Sequence, residues 1–163
     1  MKRAAFIVIG SLLGLFVLAA AEAPKTLHFP LYQYSIEPLE APSTTANTTL
    51  LMMFLPASDG FAPNVNVISQ NSPLTIAEYI ATTKRETDQQ HLKMIKADKV
   101  SDTVALFEYA GKLQDKDLHW YSKATRAGGK ILLVTATAHE TQWANVSAKL
   151  QSCVDSFQAD AAK

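Results

Sequence analysis

From Met94 to His139 the chain reads as four strand-like runs in succession: Met94 to Lys99, Thr103 to Leu113, Leu118 to Arg126 and Lys130 to His139. The links between them, Ser101-Asp102, Asp115-Lys116-Asp117 and Ala127-Gly128-Gly129, are short and built from turn formers. Strands joined this closely have no room for a crossover, so they must pair antiparallel as hairpins. The result is a meander whose aromatic bulk, Phe107, Tyr109, Trp120 and Tyr121, needs cover from other elements. Ile131-Leu132-Leu133-Val134 reads as the most central strand, because a continuous apolar run suits a strand covered on both faces.

Two helices are expected to supply that cover. Ser72-Pro73-Leu74-Thr75 offers a start, and Thr75 with Glu78 has capping-box spacing. Ile76, Tyr79, Ile80, Thr83 and Thr87 then recur at helical spacing, with Lys84, Arg85, Glu86 and Asp88 on the other side and an end near Gln90 to Lys93. The second helix runs from about Thr141 to Gln158, where Trp143, Val146, Leu150, Cys153, Val154 and Phe157 form one apolar stripe. Cys153 is the single cysteine of the chain, so no internal disulfide is possible, and its place on the stripe marks it as a buried, inert thiol.

Upstream, Leu27 to Ile36 alternates imperfectly and reads as a strand interrupted at Pro30, which suits an edge position. Pro38 to Asn47 is a connector rich in Pro, Ser and Thr. Thr48 to Leu55 is a short apolar run stopped by Pro56, and it reads as a strand covered on both faces. Ala57 to Pro63 must turn, and Asn64 to Gln70 alternates again. The order βββαββββα defines an α+β domain, a central antiparallel sheet of about six to seven strands flanked by helices as an α/β/α sandwich.

Residues 1–21 have the three-part form of an export signal. Lys2 and Arg3 precede an apolar stretch from Ala4 to Leu18, and Ala19-Ala20-Ala21 supplies small side chains for cleavage after Ala21. An uncleaved anchor is the alternative. Residues 22–47 then form the N-terminal strand and connector, and 48–163 the remainder of a single domain. Of 15 basic and 15 acidic residues, the leader takes only Lys2 and Arg3, so the exported remainder carries a net charge of −2. Its charges are interspersed, without the basic face that a nucleic acid needs or a polybasic membrane patch. The expectation is a periplasmic or secreted protein with no stable membrane span after cleavage.

The order of elements resembles the PsbP-like superfamily, which includes the PsbP extrinsic subunit of photosystem II, a yeast Ran-binding regulator and bacterial domains of unknown function. The residues that carry the resemblance are Phe61-Ala62-Pro63-Asn64-Val65-Asn66-Val67, Leu74-Thr75-Ile76-Ala77-Glu78-Tyr79, the strand Lys130 to Ala138 after a Gly-Gly turn, and Leu150 to Phe157. All four are packing patterns rather than catalytic motifs. The resemblance implies a sheet between helices and a non-enzymatic binding or assembly role.

No catalytic constellation stands in the sequence: there is no Gly-x-Ser-x-Gly, no phosphate-cradling loop and no zinc-ligand spacing. No cofactor or metal is expected. His139-Glu140, at the junction of last strand and last helix, can bind a metal or move a proton, but a carboxylate opening a helix also caps its amides and answers the helix dipole, and that reading is preferred. His119, Tyr121 and Lys123 alternate onto one side of a strand and suggest a shallow polar-aromatic surface. Phe61, in the loop Asp59-Gly60-Phe61-Ala62-Pro63, is either a recognition group or a plug folded back into the core, and the plug is preferred. The candidate partner surface is therefore Phe61, His119, Tyr121 and His139. The reading is a non-catalytic interaction or assembly module for an unidentified envelope protein; the alternative is a periplasmic binder of a small ligand or divalent metal.

Overall fold

The computed structural model describes residues 26–29, 33–36 and 47–159. The leader (1–21) and most of the connector (38–46) lie outside these residues. The chain divides into two units, 1–42 and 43–163.

In the first unit, Leu27–Phe29 (β1) and Tyr34–Ile36 (β2) pair antiparallel with each other, Leu27 opposite Ile36. The segment expected as one interrupted strand is thus a hairpin. Pro30 has no amide hydrogen to give a ladder, and Gln33, at φ 56°, reverses the chain where a single strand would continue.

The second unit runs Asn47–Phe54 (β3), Asn64–Asn71 (β4), Ile76–Gln89 (α1), Lys93–Lys99 (β5), Val104–Leu113 (β6), Lys116–Ala127 (β7), Lys130–His139 (β8) and Glu140–Asp155 (α2). Its six strands form one antiparallel sheet in the order β3-β4-β8-β7-β6-β5. The α+β class, the meander and the central place of β8 are as expected. Two of the hairpins close with two-residue loops. Gln114 and Asp115 (φ 50° and 64°) separate β6 from β7, and Gly128 and Gly129 (φ 55° and 76°) separate β7 from β8. Positive φ at both positions gives the turn whose twist matches that of its strands.

Period-two alternation sends each strand's side chains to opposite faces. On one face, Ala105 and Phe107 of β6, Ala124 of β7 and Ile131 of β8 pack against Ile76, Tyr79 and Ile80 of α1. Thr75 opens that helix with the expected capping box: its amide donates to Glu78 Oε2 (2.8 Å) and its Oγ1 accepts from the Glu78 amide (3.3 Å). The Thr75 amide first, and then the Thr75 hydroxyl, which also donates to Glu78 Oε2 (2.8 Å), hold the Glu78 carboxyl below its ordinary pKa. On the other face Val65 and Val67 of β4, Tyr121 of β7 and Val134, Ala136 and Ala138 of β8 pack against Leu150 and Val154 of α2. The sheet therefore lies between the two helices, as a sandwich.

Burial corrects two expectations. β3 is not a covered strand: it is an edge, and Leu50, Met52, Met53 and Phe54 are exposed. Its apolar run resembles that of an internal strand, but sequence carries no record of which strand closes the sheet. Cys153 is half-buried rather than sealed, because it lies toward the β3 side of α2.

Candidate functional site

Most of the polar side chains singled out in the sequence converge where β8 turns into α2. Alternation along β7 puts His119, Tyr121 and Lys123 on the α2 face, beneath the helix rather than toward solvent. His119 is 5 % exposed and Tyr121 7 % exposed. The exposed polar-aromatic surface expected from these residues is thus roofed over by Trp143, whose indole stacks on the His119 ring, and by the C-terminal turn of α2.

His119 is bracketed by two carboxylates. Its Nδ1 lies 2.8 Å from Glu140 Oε2, and its Nε2 lies 3.0 Å from Glu108 Oε1 of β6. One imidazole thus faces a carboxyl group at each of its ring nitrogens. The arrangement ties β6, β7 and the first turn of α2 to one imidazole. Glu140 was expected to cap the helix amides; its side chain reaches across to His119 instead, while its place in the first turn still suits the helix dipole. Both ring nitrogens of His119 are engaged by carboxyl groups, and the ring is buried. Among the described residues, no group of three or more His, Cys, Asp or Glu side chains is placed to hold a metal ion.

Phe61 folds back, as its packing reading expected. Ser58 and Phe61 exchange two backbone hydrogen bonds of 3.0 Å around Asp59-Gly60, both at positive φ. The ring packs with Leu92, Leu118 and Trp120, meets His139 edge-on at 4.8 Å, and has Lys116 Nζ 5.5 Å from its centre. Gln142, unremarked in the sequence, fixes this loop: its Nε2 donates to Ser58 O (2.7 Å), Ser58 Oγ (2.7 Å) and Phe61 O (3.2 Å), and its Oε1 accepts from the His139 amide (3.1 Å). A helix glutamine at the third position was a legible signal, since it is the capping-box position.

Tyr121 stands apart from this group. Its hydroxyl donates to Asp155 Oδ1 (2.9 Å) at the far end of α2, where Lys123 Nζ reaches the carbonyls of Asp155 (2.9 Å) and Phe157 (2.8 Å). Burial first, then the Asp155 carboxylate, push the Tyr121 hydroxyl up to about 12. The structure thus brings Phe61 to His139 and ties His119 to Glu140, the next residue along, but leaves Tyr121 at the other end of the helix.

No family model and no curated protein matches this sequence. Among solved structures, the chain is similar to PA94 of Pseudomonas aeruginosa, described as a protein of unknown function and candidate regulator. The TM-score is 0.59 at 13 % identity, over 85 % of this chain and 98 % of that one. It also aligns with CyanoP, the cyanobacterial PsbP of Synechocystis sp. PCC 6803, at TM-score 0.46 and 15 % identity, over 76 % of this chain and 99 % of that one. The likeness to PA94 is one of fold.

Among the described residues, α2 borders two surface openings. One, of about 180 Å³, lies between β3 and α2, walled by Met53, Phe54, Leu55 and Val65 on one side and by Lys149, Leu150 and Cys153 of the helix on the other. The other, about 260 Å³ and shallower, lies between Lys93, Gly111, Asp117, Leu118 and Glu140. Both are almost wholly apolar, and the first adjoins the exposed side chains of β3. No helix among the described residues is long and apolar enough to cross a membrane.

Proposed function

We propose that this protein is a non-catalytic interaction or assembly module, exported to the cell envelope. The observation that carries the reading is the contrast between its polar and apolar groups. Of the side chains that resemble chemistry, His119, Glu108 and Glu140 are spent on one another and Gln142 on the Ser58–Phe61 loop, whereas the edge strand β3 leaves large apolar side chains exposed. Exposed contiguous apolar surface on an otherwise well-packed domain marks a place of recognition. The fold supports the same reading only through PA94, whose own function is unknown. Export rests on Lys2, Arg3 and the apolar stretch that follows them.

The test is localisation and capture. Tagged protein expressed from its full gene is fractionated and then photo-crosslinked through a probe at Leu50. Recovery in the envelope fraction, with a discrete crosslinked adduct, supports the reading. Recovery in the cytoplasm, or a probe at Leu50 that yields no adduct, overturns it.

A further inference from the structure

We infer that His119, Glu108 and Glu140 form a proton-operated latch on the first turn of α2, closed while the three groups share two protons and released at Glu140 when one of these protons leaves.

The proton count follows from the geometry. The ring meets Glu140 Oε2 at 2.8 Å through Nδ1 and Glu108 Oε1 at 3.0 Å through Nε2. Each contact needs one hydrogen between nitrogen and oxygen, whichever atom carries it. An imidazolium between two carboxylates supplies both, and so does a neutral ring with one carboxylate and one carboxylic acid. A neutral ring between two carboxylates supplies only one. Its other nitrogen then turns a lone pair toward an anionic oxygen, and that contact must open.

Burial decides which contact opens. The His119 side chain is 6 % exposed, that of Glu108 20 % and that of Glu140 52 %. A carboxylate left unpaired inside the fold costs more than one that turns into water. The remaining hydrogen therefore stays between the ring and Glu108, and Glu140 swings out. It already walls the 260 Å³ opening beside Lys93. The latched form binds one proton more than the released form, so rising pH favours release.

The other charged groups on this face are occupied elsewhere or set back along the strands. From β5, Lys96 stands opposite Glu108 and bonds to Asp98 at 3.1 Å, and Lys93 stands opposite Ala110. Lys112 of β6 stands opposite Asp117 of β7. Tyr121 and Lys123 turn to the C-terminal end of α2, at Asp155, and Lys149 walls the hollow beside β3. β8 sets Ala138 opposite His119 and ends in His139, whose ring meets Phe61.

The latched turn carries two further contacts. Trp143 stacks on the His119 ring at 4.0 Å, and Gln142 holds Ser58 and Phe61. Release of Glu140 thus loosens the start of α2 and the Ser58–Phe61 loop together, while β7 and β8 stay paired.

The experiment is amide hydrogen exchange of the purified full chain from about pH 5 to 8, the span in which imidazoles change charge. It is read as protection factors, which remove the intrinsic rise of exchange with pH. Residues 143–146 are the first of α2 whose amides have intrahelical acceptors, so they report on this turn. Their protection is expected to fall as pH rises, by at most about tenfold per pH unit, the limit that one proton sets. Protection in β7 and β8 is expected to hold. In Glu140→Gln the fall disappears, because an amide can donate to a bare nitrogen or accept from a protonated one, and the contact survives in both states. His119→Gln lacks the titrating ring and also shows no fall; if that variant does not fold, Glu140→Gln, at a half-exposed position, decides alone. Level protection in the wild type overturns the inference. So does a fall of undiminished size in Glu140→Gln, which assigns the titration to His139, and so does a fall shared equally by β7 and β8, which marks a loss of the whole fold.

Discussion

The imidazole of His119 lies against the indole of Trp143 with ring centroids 4.0 Å apart and planes 13° from parallel. One ring belongs to a strand and the other to the helix laid over it, and Glu140, three residues before Trp143, bonds to the same imidazole. Stacking and hydrogen bonding therefore converge on a single side chain that fixes where α2 begins.

Removing that side chain should cost more than removing any one of its partners. His119→Ala strips Trp143 of its stacking face and leaves Glu108 and Glu140 without their shared partner, a loss of about 3 kcal/mol. Glu140→Gln keeps the shape and sacrifices only a half-exposed carboxylate, so it should cost less than about 1 kcal/mol. Urea unfolding of the two variants gives the comparison. Equal losses would show that the cluster does not act through the imidazole.

Gln142→Ala should loosen a loop more than eighty residues away in sequence. Its amide supplies the Ser58 and Phe61 contacts and its oxygen receives the His139 amide, so the variant should lose about 2 kcal/mol. Amide exchange in residues 56–63 should accelerate ahead of exchange in β7 and β8. Unchanged exchange in that loop would place its restraint in the Phe61 packing alone.

Alkaline titration should report three tyrosines that ionise only late, Tyr79, Tyr109 and Tyr121, the Tyr109 hydroxyl being raised by burial. Tyr79 is pushed up to about 12, chiefly by burial, as is Tyr121 by burial and its Asp155 neighbour. A folded pKa above the unfolded value near 10 means that the stability each contributes is fully present below pH 10 and is lost as pH rises toward 12. Tyrosinate absorbance at 295 nm should therefore rise in two phases, the later one coincident with loss of circular dichroism. Tyr121→Phe should shrink the later phase. A single phase complete near pH 10, with the fold intact, would contradict the burial of these hydroxyls.

The legible parts of this fold were those whose signals are local. Gly128-Gly129 announces a tight hairpin because both positions need positive φ, and Thr75 with Glu78 announces a helix start because the two residues satisfy each other's amides. The α2 stripe was legible for the same reason, since Trp143, Val146, Leu150 and Val154 share one face of one element. Contacts between elements were not legible. His119 could be placed on a strand face, but Glu108 and Glu140 stand eleven and twenty-one positions away, and nothing in their own surroundings marks them as its partners. β3 shows the limit most clearly. Its side chains specify that neighbours are wanted, and only the strand order shows that, among the described strands, it pairs with β4 alone.

That strand order also bears on how the chain reaches its native state. β5 to β8 pair with their immediate successors, but β4 pairs with β8, Val65 opposite Ala136. Local hairpins close quickly, whereas a pairing across about seventy residues pays a large loop-closure entropy before it is rewarded. During synthesis the β3–β4 ribbon is made first and must wait, its second edge open, until nearly the whole domain has followed. Val65 and Val67, sealed in the finished core, are for that interval the residues most open to a wrong neighbour, and export before folding would prolong it.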